Sequence, residues 1–288
     1  MNTAASVLFL LTTAGVVICE EPFFLPIVGG DVSPVSDFPF LVALVDDMGD
    51  RWDIQCGGSI INENYILTAA HCDGAGTHVL AGAYDLSNKR SGQSVLIQSF
   101  IRHSGYDETT MLNDIAVVKL KNPLKLKSNE VEKAVLNTNG NCPSTGDTCT
   151  VTGWGRTSFQ GSPSDVRLKC SIRVYDRPTC QRSYRFTITN SHICAGTEQG
   201  GKDACQADSG GPFICSCGNK QVVAGIVSCG IGCGNAGVPG VYTNVESYIS
   251  WITGKAGTVS TRSATDGGSG LRGWLFLPML GLLATVII

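Results

Sequence analysis

The sequence predicts an all-β, disulfide-bonded protein, and two observations carry that prediction. Short β-branched and aromatic runs recur between glycine- and asparagine-rich turns, without the helical connectors a parallel sheet would need, which favours a sandwich or barrels. Thirteen cysteines among 288 residues point to an oxidising compartment, where disulfides persist. In chain order the runs are Phe40–Val45, Val79–Gly82, Val95–Arg102, Ile115–Leu120, Thr150–Trp154, Leu168–Val174, Gln221–Ser228 and Val241–Val245. One late segment breaks the pattern. Val245, Tyr248, Ile249 and Ile252 recur at three- and four-residue spacing and predict a short C-terminal amphipathic helix.

Both ends differ from this body. Ala4 to Ile18 is an uncharged apolar run followed by Cys19-Glu20-Glu21, the pattern of a signal peptide over residues 1–19; an amino-terminal membrane anchor is the alternative. Residues 255–273 read as a small, polar linker containing Ser263-Ala264-Thr265-Asp266-Gly267-Gly268-Ser269-Gly270, and residues 274–288 as a hydrophobic tail. As a helix, Trp274 to Ile288 would cover about 22 Å, short of the ~30 Å hydrocarbon core. Small residues, a spacer and a terminal apolar tail form the pattern of a glycosylphosphatidylinositol-anchor signal, with Ser263 the best-spaced lipid attachment residue and Asp266 second. A short membrane span and a buried helix are the other readings of the tail. Net charge is −3, and removing the two ends with Glu20, Glu21, Asp266 and Arg272 brings it to about −1. No basic stripe offers itself to nucleic acid.

Chemistry concentrates in Asp203-Ala204-Cys205-Gln206-Ala207-Asp208-Ser209-Gly210-Gly211-Pro212, a glycine-rich loop that presents one serine beside two carboxylates. A serine hydroxyl is a weak nucleophile and needs a base, which in turn needs a group to orient it. Candidates for both lie upstream: His71 in Thr68-Ala69-Ala70-His71-Cys72, and Asp114 in Asn113-Asp114-Ile115-Ala116-Val117-Val118. Taken singly, such residues are most often surface or cap residues; their joint occurrence is the signal. His78, His103 and His192 sit in no comparable motif and read as ordinary solvated residues.

At these motifs, and in chain order His, Asp, Ser, residues 27–254 closely resemble the chymotrypsin/trypsin family of serine proteases. The resemblance implies two six-stranded antiparallel β-barrels with the site in the cleft between them. It implies Ser209 as nucleophile, His71 as proton shuttle, Asp114 as the group that orients His71, and the N–H groups of Ala207 and Ser209 as the oxyanion hole. It also implies that a cut before Ile27-Val28-Gly29-Gly30 frees an amine that pairs with Asp208, so residues 20–26 read as a short pro-segment. Implied disulfides are Cys56–Cys72, Cys149–Cys215, Cys180–Cys194 and Cys205–Cys233. Among the four cysteines left in the body, Cys142 with Cys217 fits because Cys149–Cys215 brings their neighbourhoods together; Cys170 and Cys229 stay open.

For specificity, the resemblance places Asp203 on the floor of the primary pocket, where a buried carboxylate selects Arg or Lys. Gly230 and Gly240 would form its open walls and Tyr242 line its base. Ala204 stands where a serine would help ligate a lysine, which favours Arg. Ser228 and Gly230 would pair with substrate backbone, and the small Cys229 between them would widen the adjoining subsites.

Several positions depart from the family pattern. Pro26 replaces the usual basic residue before the activation cut. Ala207 replaces a glycine, so either it takes a positive φ at a cost of ~1–2 kcal/mol, or the peptide flips and an oxyanion donor is lost, at ~10²–10³ in rate. Cys229 replaces a tryptophan shelf, and Ala83 an acidic calcium ligand. No cluster has metal-ligand spacing, no cofactor is expected, and no Asn-x-Ser/Thr acceptor occurs. The expectation is a secreted or cell-surface, lipid-anchored monomeric endopeptidase cleaving after Arg, less well after Lys. Its expected partners are protein or peptide substrates and protein inhibitors. The alternatives are a catalytically weak or inactive homologue acting as a binding protein, and an active enzyme preferring small or aromatic residues.

Overall fold

The computed structural model describes residues 30–155, 162–201, 204, 207–232 and 234–262. Within them the chain forms two closed antiparallel barrels. After β1 (Asp31–Val32), six strands build the first: β2 (Leu41–Asp47), β3 (Trp52–Asn62), β4 (Tyr65–Thr68), β5 (His78–Ala81), β6 (Gln93–Arg102) and β7 (Ala116–Leu120). They hydrogen-bond in the cyclic order β2-β3-β4-β7-β6-β5. β8 (Leu136–Asn137) leads to the second barrel, made of β9 (Thr148–Gly153), β10 (Leu168–Tyr175), β11 (His192–Gly196), β12 (Pro212–Cys217), β13 (Lys220–Cys229) and β14 (Gly240–Asn244). Here the order is β12-β9-β10-β11-β14-β13, and β13 pairing with β12 closes the ring. A short helix, α1 (Arg177–Gln181), follows β10, capped where the Asp176 side chain accepts the Thr179 N–H at 2.6 Å.

Every run read from the sequence is a strand, with ends shifted by one or two residues. Strands β3, β4, β11 and β12 were not among those runs. β3 is interrupted by polar residues and by Gly57 and Gly58, because β3 supports the site as well as the core: a Cβ on Gly57 would lie 2.9 Å from Gly211 Cα. β12 opens on a proline, which is tolerated at a strand's first residue. The predicted C-terminal helix is present in two parts, a 3-10 turn at Val245–Tyr248 and then α2 (Ile249–Ala256). Val245, Tyr248 and Ile252 are buried on it. The last described strand, β15 (Thr261–Arg262), pairs in parallel with β8, which itself pairs in parallel with β13.

The structure contains Cys56–Cys72, Cys149–Cys215 and Cys180–Cys194, and also Cys142–Cys217. The β9–β12 neighbourhood is doubly stapled, because Cys215 and Cys217 lie on β12 while their partners flank the start of β9. Cys170 is buried on β10 opposite Val151, and Cys229 is half-buried at the end of β13. Cys205–Cys233 lies outside the described residues, as do the amino-terminal segment with Ile27, the pocket residue Asp203, and the tail with Ser263. Among the described residues no helix is long and apolar enough to cross a membrane.

Candidate active site

The site begins with a buried carboxylate. Asp114 ends the loop between β6 and β7 and is 0% exposed. Its Oδ2 lies 2.7 Å from His71 Nδ1 and accepts the Ser228 hydroxyl at 2.6 Å, while Oδ1 accepts the His71 backbone N–H at 3.0 Å. The Asp114 carbonyl accepts the Thr243 hydroxyl at 2.7 Å. Burial pushes the carboxyl's pKa up, but the His71 charge and the hydrogen bonds from His71 and Ser228 outweigh it and hold the group below its ordinary 3.8.

Each of these contacts has a local cause. Met111 and Asn113 both take positive φ (53° and 59°), which turns the chain sharply enough to aim Asp114 inward. Asparagine tolerates that region well, and Asn113 is further fixed by donating to the Gly105 carbonyl at 2.7 Å and accepting the Tyr248 hydroxyl at 3.0 Å. Ser228 reaches Asp114 because the β13–β14 register slips between Val227 and Cys229, a bulge at Ser228. His71 lies on the 3-10 turn Ala70–Cys72, which Cys56–Cys72 ties to β3.

A turn of close backbone contacts carries the serine. The Ser209 carbonyl accepts the Gly57 N–H at 2.7 Å, Gly211 N–H returns to the Asp208 carbonyl at 2.8 Å, and Gly210 N–H donates to Val227 at 2.9 Å. The turn is thus bonded to both barrels. Gly210 has φ 77°, and a Cβ there would lie 2.1 Å from Thr68 Oγ1. Cys56 and Gly57 are adjacent on β3, so one strand holds His71 through its disulfide and Ser209 through its N–H.

Ala207 takes φ 67°, the glycine-like conformation, so of the two alternatives for this position the structure contains the strained backbone and not the flipped one. Asp208 is buried beside it and accepts the Gly155 N–H on Oδ1 at 3.1 Å. A Cβ on Gly153 would lie 2.0 Å from that oxygen, so glycine is required there.

Of the other sequence-named positions, Ala204, Ser228, Gly240 and Tyr242 are buried, and Cys229 is half-buried. Tyr242 stacks on Phe213 with centroids 4.4 Å apart. A Cβ on Gly230 would lie 3.9 Å from Gly240 Cα, which sets those two residues side by side. One expectation is corrected: His192 is buried, not solvated. It packs against Phe186 at 6.0 Å and accepts the Thr189 N–H on Nδ1 at 3.1 Å, and burial lowers its pKa. His103 is likewise packed, against Tyr248 and Trp251. Ligand atoms of Cys56, His71 and Cys72 cluster closely, but the two sulfurs are joined in a disulfide and do not offer thiolates to a metal. The sequence motifs gave Asn113 only as the neighbour of Asp114 and did not point to Thr243, Gly57, Gly153 or Gly155, whose importance comes from where the fold places them.

Two barrels that hold an Asp–His pair and a serine turn on shared backbone are the arrangement expected of a serine hydrolase. Comparison with known proteins agrees. The profile of the family described as Trypsin matches residues 27–252. Trypsin I-P1 of Gallus gallus is 42% identical over 228 residues, covering 78% of this chain and 87% of that protein. Trypsin-1 of Astacus astacus is 37% identical over 243 residues, covering 80% of this chain and all of that protein, and the anionic trypsin of Bos taurus is 38% identical over 228 residues, covering 78% of this chain and 87% of that protein. The chain belongs to the trypsin family and is a serine endopeptidase.

Proposed function

We propose that this protein cleaves peptide bonds after Arg, and less well after Lys, through an acyl-enzyme formed on Ser209. The observation that carries the reading is the buried Asp114 carboxylate set against His71 Nδ1 at 2.7 Å. With Nδ1–H held by Asp114, Nε2 is the nitrogen left to take a proton. Ser209 Oγ attacks the scissile carbonyl carbon and gives its proton to His71. The tetrahedral oxyanion is met by the N–H groups of Ala207 and Ser209. On collapse the C–N bond breaks and the amine leaves with the proton from His71. Water then repeats the sequence, and Ser209 is regenerated. Asp114 stays ionised and stabilises the imidazolium throughout, which its depressed pKa supports.

Preference for Arg rests on Asp203 as the floor of the pocket, on Gly230 and Gly240 as its walls and on Ala204 in place of a hydroxyl. The mature domain is residues 27–254, made by trimming residues 20–26 past Pro26, and its new Ile27 amine pairs with Asp208. Residues 1–19 direct secretion, and residues 264–288 are the signal that is removed when a glycolipid is attached to Ser263, which then holds the enzyme at the cell surface. Mass spectrometry of the mature carboxyl end tests that last point: a chain ending at Ser263 with a glycolipid supports it, and a chain ending at Ile288 sinks it.

The activity test uses protein made to begin at Ile27. It should hydrolyse an Arg-ended peptide amide much faster than Phe- or Ala-ended ones, and Ser209→Ala should abolish turnover. No turnover from a folded chain with its amine free would favour the binding-protein reading. An Asp203→Ser variant that kept its Arg preference would refute the pocket assignment.

A further inference from the structure

Just before β10 the chain buries a cation that peptide hydrolysis does not use. Arg167 is 1% exposed. Removing a guanidinium from water is unfavourable unless charge or hydrogen bonds replace the hydration. Here carbonyls do so: Nη2 donates to Phe38 at 2.7 Å and Nη1 to Val35 at 3.4 Å, with the Phe38 ring centroid 5.7 Å away. The neighbouring acid, Asp37, is bonded instead to Lys169 at 2.7 Å. Among the described residues, the buried Arg167 Nε has no hydrogen-bond partner. Burial lowers the guanidinium pKa to about 10, against the opposing influence of Asp37.

The backbone of Arg167 is engaged as well. Its N–H donates to the Tyr84 carbonyl at 3.0 Å, and its carbonyl accepts the Ser33 N–H at 2.9 Å. Segment 33–38, the first-barrel turn at Tyr84 and the start of β10 therefore meet on one residue. That Tyr84 carbonyl also accepts the Trp154 indole N–H at 3.0 Å. The next residue, Gly155, supports Asp208, which stands between Ala207 and Ser209.

We propose that Arg167 is a positioning residue that couples the amino-terminal segment to the serine turn. Its guanidinium pins residues 35–38 while its N–H shares an acceptor with Trp154, holding the released amino end and the support of Asp208 in one register. The proposal rests on the reading that Ile27 pairs with Asp208, and deepens it. Beside Arg167, Asp31 and Val32 pair with Lys169 and Leu168 on β10. Only four residues separate Ile27 from Asp31, a reach of at most about 14 Å, so holding segment 31–38 in register limits where the amine can go. Releasing it lets the mature chain populate a state with Asp208 unpaired.

Wild type, Arg167→Met and Arg167→Lys are each made to begin at Glu20 and at Ile27. In wild type the Ile27 form should have the higher Tm, because only it has the new amine to pair. Arg167→Met should shrink that difference by at least half and lower kcat/KM for an Arg-ended peptide amide about tenfold per titrated serine. Arg167→Lys, which keeps the charge and a donor for Phe38, should stay within about threefold of wild type. A packing role alone would lower both Tm values equally; an undiminished difference with unchanged activity per titrated serine overturns the proposal. If the methionine variant does not fold, Arg167→Gln takes its place under the same criteria. Equal Tm values for the two wild-type forms would overturn the amine–Asp208 pairing itself, and this proposal with it.

Discussion

The two halves of the active site are held by different forces. On the His71 side, Asp114 is fixed by directed hydrogen bonds from His71, Ser228 and Thr243, three residues drawn from both barrels. On the Ser209 side, the turn is fixed by backbone approach so close that an added methyl at Gly57, Gly153 or Gly210 would collide with a neighbour. A carboxylate can be held by whichever donors reach it, and removing one donor leaves others. Close backbone packing has no such reserve. Polar substitutions should therefore grade the first half, and single methyl groups should break or relieve the second.

The largest effect is expected from Asp114→Asn, which keeps the shape but presents an amide to His71. The expected loss in kcat is about 10⁴, the magnitude known for the same change in the Ser-His-Asp template of this family. Stopped-time assays on the Ile27 form would read it, and a loss below tenfold would show that His71 does not depend on Asp114.

Gly210→Ala should follow. The methyl must displace Thr68 Oγ1 in a residue at φ 77°, and the resulting shift of Ser209 should lower kcat/KM about 10²-fold. Pairing it with Thr68→Ala sharpens the point, since part of the activity should return once the hydroxyl is gone.

Ser228→Ala should be milder. It removes one charge-assisted hydrogen bond, worth about 1.5–3 kcal/mol, from a carboxylate that keeps others. The pH dependence identifies the cause. Asp114 has a folded pKa below 3.8, so its ionised contacts contribute stability above that value and lose it as pH falls toward the folded pKa. Ser228→Ala raises the folded pKa. Its destabilisation should be full at neutral pH and shrink below about pH 4, as denaturant titrations at several pH values would show. A penalty constant with pH would mean lost packing instead.

Ala207→Gly should have the smallest effect and the opposite sign. Relieving a positive φ returns about 1 kcal/mol, partly offset by the freer unfolded chain, and a domain of this size should gain about 2–4 °C in Tm at most. A lower Tm would mean that the buried methyl packs better than the backbone strains.

Much of this was legible in the linear chain because the candidate reactive residues sit in local motifs. His71, Asp114 and Ser209 each stand inside a short pattern, and the hydrophobic runs marked the strands whose side chains alternate between core and surface. β3 was not legible, since a strand that supports a site is built from glycine and polar residues that break the apolar period, and β12 opens on the proline that ends the serine motif. Ser228 was named for pairing with substrate, yet the structure also makes it a donor to Asp114, through a bulge that composition does not signal. His192 shows the opposite failure: a histidine without a motif looked solvated, but the fold buries it against Phe186.

The sequence by itself determined the all-β class and pointed to a disulfide-bonded chain and to His71, Asp114 and Ser209 as the candidate reactive residues, because strand period, cysteine count and short-range motifs are properties of neighbours along the chain. The tertiary structure alone decided which donors satisfy Asp114, that Ala207 takes the left-handed backbone, and that Arg167 is buried where three segments meet. Those outcomes depend on groups far apart in the chain competing for the same space and the same hydrogen bonds, and only closure of both barrels settles that competition.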